Sequence, residues 1–377
     1  AHGLTRVVLC GMGGSSLAPE VMCRNEGVEL LILDSSHPKM VQAALADLEH
    51  TVVVVSSKSG STLETESHLH TFIAAFESAG LRVAGHIVVV TDPGSEFDAL
   101  ATSQEIPVFH GDPQVGGRYS ALTAFGLVPS ALAGVDVSRM LDEAKTMLLA
   151  LHQPNDTNPA LLLGSAMAVA CEAGLGVLAI DDQQHQGLGD WIEQLVAESL
   201  GKEAQGLLPI MVANGKTFVP TSGLLTSLAS DSVPSEGLSV TIDEPLGAQF
   251  LLWEYATAIA GFLIAVDPFD QPNVEASKNA TRSVLVDYQP ASRPDFVDGG
   301  IRGWGTRGPD LTSAIDQVIS GLDAEGYIAL CCYLDRWTLH GIENVSTELS
   351  DRIQRPVSFG WGPRYLHSTG QFHNGGP

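Results

Sequence analysis

Four short apolar runs in the first hundred residues constrain this chain most. They span 7–12, 30–34, 52–57 and 87–92 and consist mostly of Val, Leu and Ile. Their hydrophobicity is continuous, not alternating, which marks strands covered on both faces and so paired in parallel. Helical stretches at 18–23, 40–49 and 64–78 separate them. Such a series predicts a doubly wound α/β sheet. After Gly111–Gly117, rich in Gly and Pro, a helical stretch follows from Ser120. A second unit starts near Asn158, with helix 161–173, strand 177–180, helix 190–200 and strands 208–212 and 238–242. Helices 248–265 and 274–285 follow, then a polar stretch, 288–309, rich in Gly and Pro. Helix 311–322, strand 327–334, helix 342–353 and strand 356–360 complete the pattern. The expectation is two doubly wound α/β units, 1–150 and 151–377, each with a mostly parallel central sheet. At 377 residues the chain has the length for both. A strand almost at residue 1, and an end at Gly375-Gly376-Pro377 read as a loop, suggest part of a longer protein.

Composition narrows the partners. With 44% hydrophobic and 17% charged residues the chain is not a disordered one. No apolar run approaches the roughly 20 residues of a membrane span. Asp plus Glu number 44 against 19 Lys plus Arg, a net charge of −25. That field repels nucleic acid and anionic lipid, so neither is an expected partner. A site for an anionic ligand must therefore make its own positive potential. Five cysteines and twelve histidines contain no Cys-x-x-Cys or His-Glu-x-x-His set. No metal is expected, and a reducing cytoplasm fits the cysteine usage.

Four segments carry chemistry. Gly11-Met12-Gly13-Gly14-Ser15-Ser16-Leu17 follows the first strand, where glycines let backbone approach a ligand beside a helix N-terminus. The alternative is an ordinary tight turn. The third strand runs into Ser57-Lys58-Ser59-Gly60-Ser61-Thr62, whose hydroxyls and N–H groups suit a phosphate; simple helix capping is the competing explanation. Gly116-Gly117-Arg118-Tyr119-Ser120 sets an arginine behind two glycines, facing either a developing oxyanion or a surface carboxylate. Gln194 and Glu198 share a helix face flanked by Leu195, Val196 and Leu200, where an inward carboxylate is costly and suggestive.

Together these segments resemble the phosphoglucose isomerase family, which is built from two sugar-isomerase (SIS) domains. Gly11 to Ser15 resembles its glycine loop, with Gly14 and Ser15 near substrate. Ser57, Ser59 and Thr62 match its phosphate-binding positions, and Arg118 its enediolate-facing arginine. The run from Gln194 to Lys202 is similar to its Gln-x-x-x-Glu-Ser-x-Gly-Lys segment, whose glutamate is the base. Pro268 to Lys278 is similar to its late motif, ending in an active-site lysine.

The resemblance implies a glucose-6-phosphate isomerase working without cofactor on a small sugar phosphate, as a homodimer. It is strongest to the isomerase half of fusions with transaldolase. A departure concerns the ring-opening histidine, since no histidine lies between Glu198 and Lys278. The candidates are His367 and His373, and the His367-Ser368 pair looks more like the family's segment. Two other readings stay open: an isomerase acting also on mannose 6-phosphate, and a non-catalytic sugar-phosphate sensor.

Overall fold

The computed structural model describes residues 3–174, 176–212, 223–227, 238–272, 292–323, 326–339 and 341–377. Its elements run β1 (Arg6–Gly11), α1 (Leu17–Glu26), β2 (Leu31–Leu33), α2 (Pro38–Ala44), β3 (Thr51–Ser56), α3 (Leu63–Ser78), β4 (Ile87–Thr91), α4 (Glu96–Ser103) and β5 (Val108–His110). These five strands form one parallel sheet in the order β2-β1-β3-β4-β5. Val53, Val54 and Val55 of β3 are fully buried, as continuous apolar strands require. The chain leaves β1 in one direction and returns through β3 in the other. Their carboxyl ends therefore splay open a crevice, the expected place for a ligand in a sheet of this order. The glycine loop and the serine-rich loop begin there.

Helices α5 (Ala124–Ala133), α6 (Val137–Leu151) and α7 (Pro159–Glu172) lead to a second sheet. That sheet comprises β6 (Val177–Asp181), β7 (Leu208–Met211), β8 (Leu224–Ser227) and β9 (Leu238–Thr241), parallel, in the order β7-β6-β8-β9. Between β6 and β7 runs α8 (Leu188–Leu200), and after β9 comes α9 (Leu246–Leu263). The acceptor that starts α8 is Asp182, whose carboxylate takes the N–H groups of Gly187 and Gly189. From Trp191 to Leu200 only Glu193 of α8 is not buried, and Trp191 meets Phe250 of α9 edge-on at 4.8 Å. Helix α9 has the length and apolarity of a membrane span, but most of it is inside the protein, where α6, α7 and α8 pack on it.

The remaining elements are β10 (Phe296–Asp298), β11 (Ile301–Gly303), α10 (Leu311–Ser320), β12 (Ile328–Cys332), α11 (Asn344–Ile353), β13 (Val357–Trp361) and α12 (Gly370–Gly375). Strands β12 and β13 pair in parallel, and β10 with β11 forms an antiparallel hairpin. The hairpin lies in the stretch 288–309, polar and rich in Gly and Pro, where two three-residue strands are too short to show a period. The stretch from Ser120 is helical only from Ala124, after a single turn over Gly117–Tyr119. The short helix α12 packs on α8 through Phe372 and ends at Gly375, leaving Gly376 and Pro377 as the loop expected at the end. The expected helix 274–285 lies outside the described residues.

Candidate active site

The serine-rich loop leaves β3 with its backbone pinned: the Thr91 hydroxyl donates to the Ser57 carbonyl at 2.7 Å. Lys58 turns to Asp92 at 2.5 Å and to the Asp112 carbonyl at 3.0 Å, so it anchors the loop. Ser57 pairs with Thr62 at 3.2 Å and Ser59 with Ser61 at 2.9 Å. Thr62 occupies the N-cap position of α3, yet its side chain makes no capping bond. Capping therefore does not account for these hydroxyls. They ring a helix N-terminus, whose unpaired N–H groups and positive dipole end favour an anion.

Across the crevice Glu198 is 7% exposed on α8. Its Oε1 is 3.1 Å from Arg118 Nη1, and its Oε2 accepts from Gln194 Nε2 at 3.0 Å. The Gln194 amide also donates to the His367 carbonyl at 2.7 Å, while its own Oε1 is buried with no partner among the described residues. The glycine loop closes against this group. Gly13 has φ +54, and a Cβ there would come within 2.5 Å of the His367 carbonyl and 2.8 Å of Gln194 Nε2. A Cβ on Gly14 would overlap the Gly117 carbonyl. Ser15 is buried in the same turn. Only glycine lets these loops approach so closely.

Arg118 is 2% exposed and fully engaged. Its Nε donates to Ser199 at 2.7 Å, Nη1 to Gln271 at 3.0 Å, and Nη2 to the carbonyls of Pro268 and Asp270 at 2.7 and 2.9 Å. With Glu198 added, none of its nitrogens lacks a partner. A substrate oxyanion must share or displace one of these bonds. Tyr119 also donates to Ser199, at 3.1 Å; burial pushes its phenol up to about 12, which keeps it a neutral donor.

His367 ends a single turn over Arg364–His367, and its Nε2 lies 3.7 Å from Glu64 in the first turn of α3. Burial works to raise the Glu64 carboxyl, but His367 and the backbone N–H hold it below its ordinary value. One continuous series of contacts thus runs from the serine-rich loop through Glu64, His367, Gln194 and Glu198 to Arg118. His373 stands apart. Its Nδ1 pairs with the Tyr327 hydroxyl at 2.7 Å and its ring stacks on Tyr327. Lys278 lies outside the described residues.

Sequence reasoning passed over two residues here. Lys202, 3% exposed, donates to the carbonyls of Asp267 and Asp270 at 2.5 and 2.7 Å and to the Asp270 carboxylate at 2.5 Å. Burial pulls its pKa down, Asp270 pulls it up, and Arg118 adds to the lowering. Lys202 and Arg118 together grip the 267–271 loop, which leads toward Lys278. Gln271 is the second. Both stood inside recognised segments, but a segment does not say which of its residues turn inward.

Comparison with known proteins points to one family. A family model described as phosphoglucose isomerase matches residues 1–217. A glucose-6-phosphate isomerase from Cyanothece sp. is 31% identical over 349 residues, covering 74% of this chain and 66% of that protein. The chain thus spans just under two thirds of that relative's length. Among solved structures, a hypothetical protein from Thermus thermophilus superposes with a TM-score of 0.66 at 26% identity, covering 75% of this chain and 84% of its own. A glucose-6-phosphate isomerase from Chlamydia trachomatis shares the fold, with a TM-score of 0.67 at 22% identity, covering 76% and 71%.

Proposed function

This chain belongs to the phosphoglucose isomerase family, and we propose that it interconverts glucose 6-phosphate and fructose 6-phosphate through a cis-enediol. The observation that carries this reading is the buried Gln194–Glu198–Arg118 group facing a hydroxyl-ringed helix N-terminus. Ser57, Ser59 and Thr62 hold the phosphate, with Gly14 and Ser15 beside it. His367 and Lys278 move a proton between the ring oxygen and the carbon-1 hydroxyl, opening the ring. Glu198 then takes the proton from carbon 2 and returns it to carbon 1. As Glu198 is protonated, its negative charge disappears and equal charge develops on the substrate oxygen. Arg118 Nη1, released from its ion pair, can then face that oxygen with little movement. Gln194 keeps the carboxylate oriented. Within the chain, the His367 carbonyl takes the same Gln194 amide that holds Glu198.

The phosphate assignment is tested at the loop. A hydrogen bond to a charged group contributes about 1.5–3 kcal/mol. Ser59→Ala with Thr62→Ala should therefore raise KM for fructose 6-phosphate by about 10-fold or more and weaken sugar-phosphate inhibitors similarly. Unchanged KM and inhibition would place the phosphate elsewhere.

We read residues 1–150 and 151–377 as the two SIS units and the active protein as a homodimer. The packed helices α6, α7 and α9 expose Leu149, Leu162, Val169 and Phe262, the last at 82%, which supports a covered face. Sedimentation should show a dimer at micromolar concentration. A single monomer boundary there would refute it.

A further inference from the structure

The turn that carries His367 is held by charge. Arg364, its first residue, sends Nη1 to Glu20 Oε2 at 2.9 Å and to Asp34 Oδ2 at 3.3 Å. Arg336 grips the same two carboxylates: Nε to Asp34 Oδ1 at 3.0 Å, Nη2 to Asp34 Oδ2 at 3.2 Å and Nη1 to Glu20 Oε1 at 3.1 Å. Nη2 of Arg364 reaches Asp190 on α8 at 3.5 Å. Two arginines and two acids thus bind four parts of the chain: α1, the end of β2, the segment at Arg336 and the turn at Arg364. Glu20 stands on α1, directly behind the glycine loop, and Asp34 just after β2. Arg364 is three residues before His367, whose carbonyl takes the Gln194 amide and abuts Gly13.

A buried ionic network is a poor source of net stability, because desolvation offsets most of the Coulomb gain. What it offers is geometry, since a planar guanidinium on two carboxylates tolerates few arrangements. Burial works to raise the Glu20 carboxyl, but Arg336, Arg364 and Arg24 hold it at about 2, so it stays charged at any working pH. The turn also borders a cavity lined by Glu20, Arg336 and Arg364 together with Met211, Phe359 and Trp361.

We infer that Arg364 is a positioning residue for His367, locking the ring-opening histidine to the glycine loop through Glu20 and Asp34. The inference rests on the reading of His367 given above. Its function is to keep the imidazole beside Glu64 while the carbonyl of the same residue holds Gln194.

The test uses two substrates in the full chain. Glucose 6-phosphate is mostly cyclic, whereas a four-carbon aldose 4-phosphate has no free hydroxyl with which to close a five-membered ring. A misplacement near 1 Å can cost about 100-fold in rate. Arg364→Gln should therefore lower kcat on glucose 6-phosphate by about 10- to 100-fold, while turnover of the four-carbon substrate stays within about twofold. That second turnover also reports that the variant is folded. Arg364→Lys should recover part of the loss. His367→Ala should show the same selectivity, and adding Arg364→Gln to it should cost almost nothing more, because the two act as one unit. If His367→Ala spares the cyclic substrate, the reading of His367 fails and this inference falls with it. If His367→Ala is selective but Arg364→Gln slows both substrates equally, or adds its full loss on top, only the inference is overturned.

Discussion

Glu198→Gln should lose about 100- to 10,000-fold in kcat, the usual cost of removing a general base, with KM for fructose 6-phosphate nearly unchanged. The amide fills the same space and keeps an oxygen for Arg118 Nη1 at the 3.1 Å position of Oε1. Its nitrogen would face the Gln194 amide, which cannot turn its oxygen to accept without releasing the His367 carbonyl. The substitution therefore costs one buried hydrogen bond, and the phosphate loop across the crevice is untouched. The chemistry itself loses the capacity to take a carbon-bound proton. In heavy water the parent protein should place some deuterium in the product during turnover; the variant should show neither turnover nor exchange. Near-normal turnover by Glu198→Gln would remove this carboxylate from the mechanism.

Which parts of this site the sequence discloses follows from how each part is built. Strands β1, β3 and β4 were legible because helices cover both faces, forcing unbroken Val and Ile runs. Strand β5 was not, since it is a three-residue edge with Phe109 and His110 exposed. Helix α4 followed a signal that was passed over: Ser95 accepts the N–H of Asp98 as an N-cap. The β10–β11 hairpin turns at Asp298-Gly299-Gly300-Ile301, and Gly-Gly is itself a two-residue turn signal hidden by a polar neighbourhood.

At the site, the glycine loop, serine-rich loop, Arg118 and the Gln194–Glu198 pair were legible because each lies in a short segment of distinctive composition. Their partners were not. Arg336 finds Asp34 across 302 residues and Arg364 finds Glu20 across 344, pairings that no local period encodes. The close approach of Gly13 to His367 belongs to the same class. Glycine announces that something comes near, but only the fold says what.

Arg118→Lys is expected to lower kcat by about 100- to 1,000-fold, the cost of removing a donor aimed at developing charge. The charge is conserved, but the geometry is not. A guanidinium reaches Ser199, Gln271, the Pro268 and Asp270 carbonyls and Glu198 at once, whereas an ammonium offers three donors at one point. The shorter side chain must abandon either Glu198 or the 267–271 loop. Lys202 already holds that loop through Asp267 and Asp270, so the loop should stay in place and the protein should fold. Arg118→Met goes further and leaves Glu198 buried without its countercharge, a loss of about 3–5 kcal/mol that should appear as a lower Tm. The lysine variant separates two roles. If Arg118 acts on the enediolate, kcat and kcat/KM fall together while KM holds, because the lost interaction exists only in the transition state. A raised KM with kcat preserved would instead make Arg118 a ground-state binding residue, and the transfer of its charge from Glu198 to the substrate would have to be abandoned.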